Sequence, residues 1–166
     1  MIRVNAPGGP LADGRAKGFA EEVTRMAHTG HPAVDEAPQV VAEWLNRLCE
    51  DLGWSERGRA YLLLTETLHT VRDFLTVDEA ADLAAQLPLI IRGIFYTGWN
   101  PSDTPVKPRS KTAFLEQATR RFGKIPLDDP ERAVEAVFDL LRRQVTEGEF
   151  QQARHAMRKP LQELWE

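Results

Sequence analysis

A single cysteine, Cys49, stands in the whole sequence, so no disulfide within the chain can hold the fold together. A lone thiol fits a reducing compartment, and a cytoplasmic protein is the expectation. Long apolar runs are missing as well. No stretch approaches about 18 consecutive apolar residues, so no membrane-spanning helix and no membrane partner are expected. The opening MIRVNAPGGPLADGRAKGF has no apolar centre and does not read as a secretory signal. Lysine is scarce, five residues against sixteen arginines, a bias of composition that points to no function. An excess of positive charge is lacking too: the formal net charge is −4, so the chain as a whole is no binder of polyanions. Nor does a glycine-rich loop follow a strand pattern. Pro7-Gly8-Gly9-Pro10 precedes no strand–helix unit and reads as part of a flexible arm, not as a phosphate cradle.

What is present is helical periodicity. A chain of 166 residues buries about two-thirds of its unfolded surface, enough for a core without metal or disulfide. Phe19, Val23 and Met26, spaced i, i+4, i+7, predict a short amphipathic helix over about 17–28, broken by Gly30 and Pro32. Val41, Trp44, Leu45, Leu48 and Leu52 form one face of the first core helix, and Gly53 ends it. Ser55 is placed to cap the second, whose inward face is Tyr61, Leu64, Leu68, Val71 and Leu75. Thr76 and Glu79 have the spacing of a capping box. The third helix then buries Leu83, Leu87, Ile90, Ile91, Ile94 and Phe95, with a kink expected at Pro88.

The stretch GWNPSDTPVKPRS (98–110) has three prolines and no periodicity, and reads as a linker. Ser110 caps a fourth helix with Phe114, Leu115, Ala118 and Phe122 inward and Gly123 at its end. Asp129-Pro130-Glu131 announces the fifth: a cap, a proline in the first turn, and an acid near the positive dipole end. Its face is Val134, Val137, Phe138 and Leu141. Thr146 and Glu149 repeat the capping box, and a sixth helix carries Met157, Leu161, Leu164 and Trp165. Pro160 interrupts it two residues later in register than Pro88 interrupts the third.

Shifted by 70, residues 44–95 lie on 114–165 without a gap. Identities are few, five of 52 pairs: Leu45/Leu115, Gly53/Gly123, Arg72/Arg142, Thr76/Thr146 and Glu79/Glu149. The stop signals and capping boxes nevertheless keep register. The fold class that follows is all-α. Two three-helix repeat units, six core helices in all, pack about a pseudo-twofold, with a short N-terminal helix added. The expected boundaries are a flexible arm at 1–16, the N-terminal helix and loop at 17–37, a first unit at 38–99, a linker at 100–109 and a second unit at 110–166.

The segment QLPLIIRGIFYTGW (86–99), entered from LTVDEAADLAA, and the later VTEGEFQQARHAMRKPLQELW carry a resemblance to a bacterial family, the domain of unknown function 2267. Over residues 40–165 the chain is similar to its members in having paired helical units. It shares a Leu-Pro followed by an Arg and aromatics ending in Gly-Trp (Leu87-Pro88, Arg92, Gly98-Trp99), and a Gly-Glu opening the last helix (Gly148-Glu149). It departs where Met157-Arg158 stands in place of the second Leu-Pro, with Pro160 displaced. The resemblance implies a helical repeat fold and brings no catalytic or binding residue with it.

Few side chains form a chemical constellation. His28-x-x-His31, with Asp35 and Glu36 nearby, offers ligands of the kind zinc or iron uses. Gly30 and Pro32 break the helix that would align them, so a polar loop accounts for them better; no metal and no cofactor are expected. Cys49 would need a histidine base to act as a nucleophile. His69 lies on a face with Leu62, Glu66 and Asp73 that reads as the polar side of its helix, and His155 lies on another exposed face. Cys49 therefore reads as a small core residue. Asp78, Glu79, Asp128, Asp129 and Glu147 sit at helix starts, where the dipole explains acids without catalysis.

Two features remain. Lys107, Arg109, Lys111, Arg120, Arg121 and Lys124 face only Glu116 across 107–124, a stretch basic enough to touch phosphates. Trp54, Tyr96 and Trp99 lie at helix ends, where large aromatics either anchor a partner or plug the fold. Trp44 and Trp165 belong to the core. The expectation is a non-catalytic helical module, not an enzyme, that presents a surface to a protein partner. Its candidate residues are Trp54, Tyr96, Trp99, Arg109, Arg120 and Arg121. The alternative is a nucleic-acid-associated regulator using 107–124, and the third reading is a metal-dependent enzyme built on His28 and His31.

Overall fold

A computed structural model describes residues 17–19, 21–23, 28–123, 125–157 and 159–165, and all their regular elements are helical. The chain divides into two compact units, Met1–Glu36 and Ala37–Glu166. In the first, 17–19 and 21–23 are helical with Phe19 and Val23 exposed. The arm expected at 1–16 and Met26 lie outside the described residues. Gly30 turns the chain at φ +78°, and a single helical turn follows, Pro32–Asp35.

The second unit holds α1 (Ala37–Leu52), α2 (Arg57–Phe74), α3 (Val77–Gln86), α4 (Leu89–Tyr96), α5 (Lys111–Thr119), α6 (Pro130–Gln144), α7 (Glu147–Ala156) and α8 (Lys159–Gln162). Short 3₁₀ turns lie at Pro101–Asp103, Arg120–Phe122 and Glu163–Trp165. Four of the announced caps form. Thr76 Oγ1 accepts from the Glu79 N–H while the Glu79 carboxylate accepts from the Thr76 N–H at 2.8 Å. Ser110 and Asp129 accept from the Ala113 and Arg132 N–H groups at 3.1 and 3.0 Å. Thr146 receives the Glu149 N–H at 3.5 Å.

Four expectations need correction. Ser55 caps nothing: Glu56 occupies the N-cap of α2, without a side-chain bond. Pro88 does not kink one helix but parts two, because Leu87 and Pro88 both take extended ψ angles, 143° and 154°. Tyr61 and Ile90 point outward, at 45% and 37% exposure. The face of α2 read as its polar side is not open to solvent either: Glu66 is buried, and Leu62, His69 and Asp73 are half-buried. The helix runs through the middle of the unit, against α1, α4, α5 and α6.

The ends of α3 and α7 fall at equivalent positions, 77–86 and 147–156. Contacts between helices follow the same equivalence. α1 packs on α6 and α5 packs on α2, while α3 meets its own equivalent α7. Gln152 Nε2 donates to Asp82 Oδ2 at 3.2 Å, and these two positions are themselves 70 apart. One hydrophobic cluster runs from Trp44 to Trp165. Phe74 of the first half meets Phe114 of the second at 5.1 Å, and the chain of rings continues within the second half, Phe114 meeting Phe138 at 5.9 Å and Phe138 stacking on Trp165 at 4.3 Å. Trp44 and Trp165 are each 2% exposed, as expected of core residues. The buried apolar residues of 38–99 and of 110–166 belong to that one cluster.

Candidate interaction face

Trp54 owes its position to the way α1 ends. Gly53 has φ +65°, a left-handed conformation in which a Cβ would be strained. The Gly53 N–H bonds to Glu50 O at 3.3 Å and the Trp54 N–H to Cys49 O at 2.8 Å, the paired bonds of a Schellman end. The indole is thereby turned toward the first turns of α2. The equivalent Gly123 ends a 3₁₀ turn at φ −53°, so the shared glycine does not mean a shared conformation.

Arg59 meets the indole there. Its guanidinium lies 4.7 Å from the centre of the Trp54 ring and 5.9 Å from that of Phe122. One Nη2 proton goes to Pro126 O at 3.2 Å, which ties α2 to the loop before α6. Around this stack the surface is hollow. A recess of about 340 Å³ lies on one side, with Asp51, Asp128, Asp129 and Arg132 among its walls. Another of about 290 Å³ lies on the other, between Gly58, Leu62, Arg121, Phe122 and Ile125. Ile125 is 66% exposed, high for an isoleucine beside a recess.

The sequence-predicted residues fall into separate places. Trp54 and Arg121 both border recesses lined by Arg59. Tyr96 and Trp99 stack on each other with centroids 5.3 Å apart, and Trp99 lines a smaller hollow with Arg72 and Asp73. Both are half-buried against the core, which favours the plug over the anchor. Val106 of the linker is seated there too, its N–H bonded to Asp73 O at 2.8 Å. Arg120 is exposed and Arg109 half-buried. Sequence reasoning missed Arg59, Phe122 as its second ring, and Ile125. Only Ile125 left a signal, an isoleucine in a non-periodic loop.

The basic stretch is partly spent inside the fold. The Lys111 ammonium pairs with Glu131, a bond that raises its pKa above the ordinary lysine value. Arg121 Nη1 reaches the buried Glu66 at 2.9 Å, though its side chain stays 62% exposed. In the N-terminal unit, Asp35 accepts from the Thr29 N–H at 2.7 Å and from its hydroxyl, and these bonds hold its carboxyl below the usual carboxylate range. His28 Nδ1 lies 3.5 Å from the same carboxylate, and His31 is exposed at the N-cap of the turn. No three His, Cys, Asp or Glu side chains converge in metal-ligating geometry among the described residues. Cys49 is half-buried, and His69 Nε2 donates to Ile94 O at 2.7 Å.

No helix among the described residues is long and apolar enough to cross a membrane. Residues 41–164 match the family described as an uncharacterized conserved protein, DUF2267. No curated protein matches the chain.

Proposed function

The chain belongs to the DUF2267 family, and from that premise we propose that it is a non-catalytic, cytosolic interaction module whose face around Trp54 and Arg59 binds a protein partner. One observation carries the reading: a tryptophan and an arginine stacked at 4.7 Å, with recesses beside them. Tryptophan and arginine are the side chains that most often dominate binding energy, and pre-stacking lowers the ordering cost of using them. The groups that could do chemistry support it from the other side, since they are engaged in the fold. Asp129 caps α6, Glu79 closes a capping box, Asp73 holds Arg72 and Gln117, and His69 caps α4. A nucleic-acid role has less support because Lys111 and Arg121 of the basic stretch each engage a carboxylate.

The test is capture from native lysate at low and high salt, with the wild-type chain and Trp54→Ala. One protein should be enriched at both salts and fall about tenfold with the variant, provided both melt alike. Nucleic acid enriched only at low salt would move the reading to 107–124. An empty capture with bound metal would sink it.

A further inference from the structure

Resting on that reading, we propose that the recess between Arg59 and Ile125 receives an acidic segment of the partner. A partner carboxylate pairs with the Arg59 guanidinium, and an adjacent apolar side chain lies against Leu62, Phe122 and Ile125. The argument is one of charge and donors. Arg59 spends one bond on Pro126 O, yet no carboxylate of the described residues pairs with it. Its Nε is buried without a protein partner. Guanidinium donors form a planar fork that fits a carboxylate, and the Trp54 stack holds that fork in place before binding. Covering it with a neutral or basic segment would leave a cation desolvated and unpaired, which costs binding.

The recess has the matching local charge. Arg59 and Arg121 border it with Glu56, and since Arg121 pairs with Glu66, Arg59 is the cation there that a partner carboxylate can take. Arg121 gives one nitrogen to Glu66 and keeps most of its side chain in solvent. The other wall is apolar, and its volume of about 290 Å³ accommodates one side chain of leucine or phenylalanine size. Acid beside apolar is therefore the chemistry this hollow fits. The recess on the far side of Trp54 sets Asp51, Asp128 and Asp129 against Arg59 and Arg132, so its lining carries one more acid than base and is the less favourable place for the same carboxylate.

The experiment pans a displayed library of random linear peptides against the full chain and measures the enriched peptides on variants that melt like the wild type. Peptides sharing Asp or Glu next to Leu, Ile or Phe are expected. Ile125→Asp should bind them about tenfold or more weaker than Ile125→Lys, because the new charge repels one and attracts the other. Arg59→Lys, which keeps the charge and loses the fork, should also weaken them. Enriched peptides without carboxylates, equal binding to the two Ile125 variants, displacement by a single-stranded oligonucleotide, or no enrichment at all would overturn the proposal. Lysate capture with Ile125→Asp separates the two failures. A partner lost with Trp54→Ala but indifferent to Ile125→Asp leaves the interaction module standing and removes only the acidic segment; absence of any partner removes both.

Discussion

Arg72 and Arg142 occupy equivalent positions in the two units, and the same side chain does different work in each. Arg72 is 5% exposed, gives Nη1 to Phe95 O at 2.8 Å and to Thr97 O at 3.0 Å, and gives Nε to Asp73 at 2.8 Å. It thus satisfies carbonyls at the end of α4 that the helix itself leaves open, and it puts a cation at the negative dipole end. Arg142 is exposed and lies over the Phe150 ring at 5.7 Å. Arg72→Met should cost about 3 kcal/mol, because it strands buried acceptors and leaves Asp73 without its cation. Arg142→Met should cost less than about 1 kcal/mol. Urea unfolding of the two variants checks this, and equal losses would mean that α4 does not depend on its cap. The sequence could pair the two arginines but could not tell them apart. The difference lies in carbonyls 23 and 25 residues away, which no local pattern encodes.

Helix ends were the most legible elements, since a cap is a bond between neighbours in the chain. Thr76, Ser110, Asp129 and Gly53 all act where their spacing placed them. Ser55 failed because the Schellman end of α1 already sets the entry to α2, so the helix starts one residue later. The break between α3 and α4 is more instructive. It comes at Leu87, before a proline, and the break between α7 and α8 comes at the equivalent Met157, with the proline two residues later. Both residues are extended, with ψ of 143° and 151°, and both are buried. Burial of that side chain is common to both breaks while an adjacent proline is not, and the later proline sits in the first turn of α8, where it is tolerated. Pro88→Ala should therefore keep the break, leaving helix content by circular dichroism unchanged and stability within about 1 kcal/mol. A rise in helix content would show that the proline imposes the break.

At the scale of the molecule, what the sequence withheld is how much of the polar surface of α2 is buried. Glu66 and Asp73 look like part of a solvated face, but side chains of the other half reach both, Arg121 to Glu66 at 2.9 Å and Gln117 to Asp73 at 3.0 Å. The candidate face was half legible too: Trp54 was singled out, while nothing in the local pattern marks Arg59, whose partners are the Trp54 and Phe122 rings and Pro126 O. A shared core also predicts that residues 37–109 alone are unfolded and that adding 110–166 restores helicity. A cooperative thermal transition of the first fragment by itself would contradict this. The Gln152–Asp82 bond carries a last consequence. In a twofold pair of identical units, equivalent positions that touch lie on the axis, so two copies of the first half would set Asp against Asp there, and two copies of the second Gln against Gln. Joined in one chain, the copies are free to diverge at that point, and Gln against Asp turns repulsion into a hydrogen bond. Within one chain a contact between equivalent positions need not be made by identical residues, as a homodimer's axial contact must be.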